Sequence, residues 1–308
     1  MRNTLCTLML FVILTMPADA PAGDKVTVVA SIPSLKSIAE LVGGDKVDAF
    51  AIATGYQNPH FVDPKPSFIM KLSKADLFIT TGLDLESGWV PSLLQSSRNG
   101  KIQPGGDGYV DASAGITLLH VPSSSDRAQG DIHLYGNPHY WMDPLRGKQI
   151  AKTIYEKLVR ISPENAEYFS ANLKRFDEEI DSRTAAWEKK LAPLRGVPLI
   201  AYHNEWPYLE ERFGFTIVDF LEPKPGIPPT PSQLMKIIST IKSKKIPLII
   251  TSPYFTLDAA ELVSRQTGTQ VAVLATSVGA FDGIANYYDL FEYNVGVLLK
   301  AMDQGHTR

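Results

Sequence analysis

The 308-residue sequence has little of several features that define common classes of protein. It contains one cysteine, Cys6, so a disulfide scaffold is excluded and a metal site must be built from histidines and carboxylates. Its charge is nearly balanced, with 30 Lys plus Arg against 33 Asp plus Glu, which leaves no basic field for a phosphate backbone. We therefore do not expect nucleic acid as a partner.

The chain also lacks an apolar run of the roughly 20 residues that a membrane-spanning helix needs. Its longest run, residues 5–16, follows Arg2 and precedes the small-x-small segment ADA at 18–20, which predicts a signal peptide over residues 1–20. Cys6 lies too early to be the lipidated cysteine that ends a lipoprotein signal. We therefore expect an exported protein that is cleaved after about Ala20 and is not a lipoprotein.

Short apolar runs alternate with helical patterns along the rest of the chain, which is typical of α/β domains. The strand candidates are uniformly apolar, and this favours parallel sheets with helices on both faces. The predicted strands lie at residues 26–32, 50–53, 77–81, 109–111, 198–202, 216–220, 248–251 and 271–275.

One long helical pattern separates two such halves. Ser162-Pro163-Glu164 is typical of a helix N-terminus, and apolar residues then recur at helical spacing as far as Leu191. The sequence therefore predicts an α/β fold of two lobes with parallel sheets, residues 24–161 and 195–308, joined by one long rigid helix over 162–192. A single large sheet with a long crossover helix is the alternative.

One short pattern occurs twice. NPHFVDP at 58–64 and NPHYWMDP at 137–144 share Asn-Pro-His, an aromatic residue and Asp-Pro, which places His60 and His139 in loops before helices. His203 directly follows a predicted strand and occupies the same kind of position. Since such loops meet at the carboxyl ends of parallel strands, these histidines are expected to share one crevice. The alternative is that each histidine is an ordinary turn residue.

The other polar candidates are given weaker roles. His120, His133 and His306 lie in a turn-rich segment or in the C-terminal tail, and we expect all three to be exposed to solvent. Asp63 and Asp143 precede helices, so each is predicted to cap a helix or to orient an imidazole from behind.

These segments resemble the metal-binding family of solute-binding proteins that serve ABC importers for zinc and manganese. The resemblance covers essentially the chain after residue 20. It implies two α/β lobes bridged by a rigid helix, with the metal held between the lobes, and it places His60, His139 and His203 at ligand positions. It rests on NPHFVDPKPS at 58–67, similar to D-P-H-x-Y-x-P-x-P-S; NPHYWMDP, similar to D-P-H-x-W-x-D-P; AYHNEWPYL at 201–209; and PTPSQL at 229–234, similar to E-P-S-P-x-Q-L.

The fourth ligand is where the sequence departs from this family. Many relatives have a T-D-S segment after the last strand, whereas this chain has Ala275-Thr276-Ser277 and no carboxylate there. Asp282, in a Gly-flanked loop five residues later, is the leading candidate. Glu205, two residues after His203, and a water molecule are the alternatives.

The donor set favours zinc. Three neutral imidazoles with at most one carboxylate suit four-coordinate Zn²⁺, whereas Mn²⁺ prefers more oxygen ligands. Since an imidazole binds a metal only when it is neutral, affinity is expected to fall as the pH drops toward about 6.

The resemblance implies a monomeric capture protein that is not an enzyme and delivers its metal to an ABC permease in the inner membrane with a cytosolic ATPase. The resemblance also implies a periplasmic location. The segment 120–135 has only two histidines, so we expect any metal-loading role of this loop to be either reduced or delegated to another protein, such as a periplasmic metallochaperone. Two alternatives stay open: a zinc-dependent hydrolase with an open three-His site and Glu205 as its base, and a metal-binding surface adhesin.

Overall fold

The computed structural model of the protein describes residues 25–122 and 133–306, with side chains as far as residue 304. The predicted signal peptide at 1–20 and the His306 side chain lie outside this description. Among the described helices, none combines the length and the apolar character that crossing a bilayer requires.

Eight strands form two separate parallel sheets with the same internal strand order. The first sheet has the order β2-β1-β3-β4 and the second β6-β5-β7-β8. The prediction of two parallel sheets is confirmed, and the alternative of one large sheet is wrong for the described residues. The strands are β1 Val26–Ala30, β2 Val47–Ala51, β3 Leu77–Thr80, β4 Tyr109–Asp111, β5 Pro198–Ala201, β6 Thr216–Phe220, β7 Leu248–Thr251 and β8 Gln270–Val273.

Helices surround these sheets. Proline occupies the first or second position of five of them, α1, α2, α3, α6 and α7, where its missing N–H has no partner to lose. The helices are α1 Pro33–Gly43, α2 Pro66–Ser73, α3 Val90–Ser97, α4 Arg146–Ile161, α5 Ala166–Lys190, α6 Pro207–Phe213, α7 Pro231–Lys244, α8 Asp258–Thr267 and α9 Tyr287–His306.

The long helix predicted between the halves begins as a 3-10 turn, Pro163–Asn165, and continues as α5. Its 25 residues span about 37 Å at 1.5 Å per residue. The helix packs against α1 and α4 of the first half and against α9, which returns from the second sheet. Phe176 and Trp187 of α5 contact the rings of Tyr287 and Phe291 of α9. The lobe boundaries themselves stay a prediction.

The two halves also meet directly through buried polar contacts. The hydroxyl oxygens of Ser34 and Ser277 are 2.9 Å apart, and the indole N–H of Trp141 donates to the carbonyl of Thr276 at 2.8 Å. The Tyr287 hydroxyl donates to the carbonyl of Trp141 at 2.6 Å. One hydrophobic core runs from β1 to α9, so the halves form a single packed body at this junction.

Asp143 carries a buried charged link between the halves. Its buried carboxylate pairs with Arg146 at 2.7 Å and with Arg212 of α6 at 2.8 Å. It also accepts the backbone N–H of Leu145 at 3.0 Å, directly before α4. The N-cap residue of α4 is Leu145, without a side-chain cap, so the helix-cap role predicted for Asp143 is not supported.

Replacing Asp143 should destabilise the protein because two arginines lose a buried counter-charge. We expect Asp143→Asn to lower the free energy of unfolding by about 3 kcal/mol in urea denaturation. The control is Asp181→Asn, which breaks a half-exposed ion pair with Lys148 and should cost less than about 1 kcal/mol. Equal losses for the two variants would contradict a special role for Asp143.

The continuous core and α5 should also limit movement of the halves. We expect solution scattering curves of the metal-free and zinc-loaded protein to superimpose within error, since closure would have to break the packing of α5 against α9. A clear decrease in the radius of gyration on zinc binding would show that this junction opens.

Candidate metal centre

Three histidines from separate segments meet between the halves. His60 lies between β2 and α2, His139 precedes the 3-10 turn Tyr140–Met142, and His203 follows β5. Their ligand nitrogens all lie within 4.8 Å of one another. Their ring centroids are 5.4 to 5.8 Å apart. The structure thus brings together the three histidines singled out from the sequence.

The repeated Asn-Pro-His motif orients two of these rings in the same way. In the first copy, Asn58 Oδ1 accepts the His60 backbone N–H at 3.0 Å and lies 2.8 Å from His60 Nδ1. In the second copy, Asn137 Oδ1 makes both contacts with His139 at 3.0 Å. Because an amide oxygen only accepts, each Nδ1 carries the proton and each Nε2 keeps its lone pair for a metal.

His203 is oriented by a carboxylate instead. Glu222 Oε2 lies 2.7 Å from His203 Nδ1, and both side chains are buried. The sequence reasoning missed Glu222, although its place two residues after the end of β6 matches the strand-end position of the histidines. A carboxylate behind a metal-bound imidazole fixes the tautomer and raises the basicity of the ring.

Two rings of the cluster, His60 and His139, are held in an environment that favours the neutral imidazole. Burial lowers the pKa of His60 and of His139 well below the ordinary value of 6.5, and the neighbouring histidine rings lower both further. His139 Nε2 is buried and has no hydrogen-bond partner among the described residues. An unpartnered, uncharged acceptor nitrogen in a buried cluster suits a cation ligand and is otherwise costly.

The carboxylates proposed as fourth ligand do not join this cluster. Asp282 is exposed at the tip of a loop that is closed by a hydrogen bond from Gly279 N to the Ile284 carbonyl, and it lies outside the 4.8 Å group. Glu205 is buried next to the cluster, but its two oxygens accept from Ser252 and Tyr254. Burial raises its pKa to about 7. The geometry is against Asp282 as a ligand.

The prediction that His133 is exposed is wrong. Its ring is partly buried, with Nε2 only 3.1 Å from His60 Nε2 and centroids 5.2 Å and 6.1 Å from those of His60 and His139. Burial and the nearby His203 lower the pKa of His133 to about 4. A hydrogen bond to the backbone of Leu83 acts in the opposite direction and raises this pKa. Its position in a turn-rich segment offered no signal of this convergence.

The remaining sequence candidates lie outside the group of three histidines, although His120 lines a pocket together with His133 and His203. His120 is exposed as predicted, with Nδ1 3.4 Å from Asn204 Nδ2. Asp63 is exposed as well, and the residue at the N-cap of α2 is Lys65, without a side-chain cap. Neither role predicted for Asp63 is therefore supported.

In sequence, the chain is similar to metal-binding components of importers. The model of the family described as zinc-uptake complex component A, periplasmic (ZnuA), matches residues 28–301. A manganese ABC transporter substrate-binding lipoprotein, PsaA of Streptococcus anginosus, is 24% identical over 93% of this chain and 92% of its own length. The high-affinity zinc uptake system protein ZnuA of Bacillus subtilis is 24% identical over 90% of this chain and 87% of its own.

Solved structures share the fold. A crystal structure of ZnuA superimposes with a TM-score of 0.77 at 24% identity and covers 90% of this chain and 99% of the other. A laminin-binding adhesin, Lmb of Streptococcus agalactiae, has a TM-score of 0.73 at 24% identity and covers 90% of this chain and 99% of the other. At this identity the likeness establishes the two-lobed α/β fold alone.

Because the pKa values of His60 and His139 are lowered, we expect these rings to become protonated at a lower pH than the sequence suggested. In the metal-free protein we expect His60 and His139 to remain neutral at pH 6 in histidine side-chain NMR titrations, and to titrate near 6.5 in urea. Since the unfolded chain then binds protons first, the metal-free protein should lose stability as the pH falls below about 6.5. Native titration of both rings near pH 6.5 would contradict this.

Glu222 should matter for metal affinity through His203. We expect Glu222→Ala to weaken zinc binding by about 10- to 100-fold in chelator competition, because His203 loses the acceptor that orients it. Asp219→Ala is the control, since Asp219 pairs with Lys236 beside the same strand end. Similar affinities for both variants and the wild type would show that His203 needs no such support.

Proposed function

Since the chain belongs to the periplasmic zinc-uptake complex component A family, we propose that it captures a divalent transition metal outside the cytoplasm for delivery to an ABC permease. The observation that carries the proposal is the convergence of His60, His139 and His203 nitrogens within 4.8 Å. Relatives named for manganese and for zinc match equally well at 24% identity, so the choice of metal rests on the site.

Zinc is the metal that the donor set supports. Imidazole nitrogen suits Zn²⁺, whereas Mn²⁺ prefers carboxylate, carbonyl and water oxygens. The nearest carboxyl groups are engaged elsewhere, Glu222 with His203 and Glu205 with Ser252 and Tyr254. A buried pocket of neutral nitrogens therefore favours zinc over manganese.

The proposal includes the partners and the location inferred from the sequence. The zinc-loaded monomer would dock on a permease of the inner membrane, whose cytosolic ATPase drives uptake, after loading in the periplasm by a metallochaperone. Several relatives are named lipoproteins, among them PsaA of Streptococcus anginosus. The absence of a lipid anchor in this chain stays a prediction.

We propose binding rather than catalysis. The sequence has neither an HExxH helix nor a Gly-x-Ser-x-Gly elbow. Glu205, the base that a hydrolase would need, has both oxygens hydrogen-bonded by hydroxyl groups. Ester or peptide hydrolysis by the zinc-loaded protein, lost in His139→Ala, would favour an enzyme instead.

The direct test is the metal content and affinity of the purified protein. We expect one zinc per chain after purification without chelator, and a loss of at least about 100-fold in zinc affinity when His60, His139 or His203 is changed to alanine. His120→Ala is the matched control and should bind like the wild type. Isothermal titration with Zn²⁺ and Mn²⁺ measures both affinities.

Transport is tested in cells of the source organism that lack this chain. We expect the wild-type chain, and not His139→Ala, to restore growth in zinc-depleted medium. Restoration by His139→Ala, or rescue of manganese-limited but not zinc-limited growth, would contradict the proposal.

A further inference from the structure

The three-histidine cluster leaves one position of a tetrahedral zinc site to be filled. Relatives place an aspartate after the last strand, but here the matching residue is Thr276, which is buried and whose carbonyl accepts from Trp141. Asp282 is exposed, and Glu205 and Glu222 have hydrogen-bond partners of their own. The fourth donor must therefore come from another part of the chain or from solvent.

His133 meets one member of the cluster, His60, at the required distance, and it lies outside the group of three whose nitrogens are all within 4.8 Å of one another. Two nitrogens bound to one tetrahedral Zn²⁺ at about 2.0–2.1 Å lie about 3.3 Å apart. The Nε2 atoms of His133 and His60 are 3.1 Å apart, and the His133 ring is about as far from the His60 and His139 rings as those rings are from each other. His133 thus approaches the cluster from the His60 side.

The other hydrogen bonds of the His60 and His133 rings indicate that both facing Nε2 atoms are acceptors. His60 donates from Nδ1 to Asn58, so its Nε2 carries a lone pair. His133 is hydrogen-bonded to the backbone of Leu83. Because its Nε2 is directed at His60, Nδ1 is the nitrogen that donates to Leu83, and Nε2 carries a lone pair. Two lone pairs at this distance repel each other unless a cation lies between them.

We propose that His133 is the fourth zinc ligand and replaces the carboxylate that this chain lacks after its last strand. The inference rests on the proposed function and adds the residue that completes the shell. Four neutral imidazoles give an all-nitrogen site, with Glu222 as the carboxylate behind it. Such a shell disfavours Mn²⁺, so His133 is also the residue that sets the choice between the two metals.

The test is X-ray absorption at the zinc edge of the full zinc-loaded chain, together with chelator competition. We expect four imidazole ligands in the wild type, and three with one oxygen ligand in His133→Ala. Zinc affinity should fall at least about tenfold in His133→Ala and stay unchanged in His120→Ala, the exposed histidine of the same segment. In His133→Asp, the ratio of zinc affinity to manganese affinity should fall at least about tenfold.

Three imidazoles in the wild type, or unchanged affinity in His133→Ala, would overturn the inference and leave the proposed function intact. A wild-type chain that binds no zinc, or a His139→Ala variant that binds it normally, would overturn the proposed function instead. If His133→Ala does not fold, the imidazole count of the wild type decides the question alone.

Discussion

The site depends on holding uncharged imidazole nitrogens face to face, with their lone pairs directed at one point. That arrangement is unfavourable without a cation, so the surrounding protein has to impose it. It does so from behind the rings, where Asn58, Asn137 and Glu222 accept from the Nδ1 atoms and orient the imidazoles. Burial then favours the neutral forms of His60 and His139, because a protonated ring there would lose its solvation and repel its neighbours.

This arrangement requires the two halves to keep a fixed relative position, because His203 comes from the second half and the other rings come from the first. The contacts that join the halves lie close to the rings: Trp141, two residues after His139, donates to Thr276, and Asp143 pairs with Arg212. Helix α5 packs against both halves and extends the same junction. The metal centre is therefore supported by packed elements of both halves.

The carboxylates near the site are divided among roles that keep them away from the metal. Glu222 orients an imidazole, Glu205 is buried against two hydroxyl groups, and Asp282 faces solvent. This division leaves the nitrogens of His60, His139 and His203 as the donors that converge on the site. Asn58 and Asn137, which precede the two Pro-His pairs, also add no carboxylate beside the rings, since an amide orients the imidazole without adding charge.

Sequence alone determined the two-sheet α/β architecture and three of the site histidines, because strand runs, the helical stripe of α5 and a twice-repeated motif are local patterns. Strand ends of parallel sheets meet at one edge, so His60, His139 and His203 could be placed together without coordinates. Only the tertiary structure decided the places of His133, Glu222 and Asp282. Their surroundings are set by how the loops pack across the junction of the two halves, and no local periodicity records that packing.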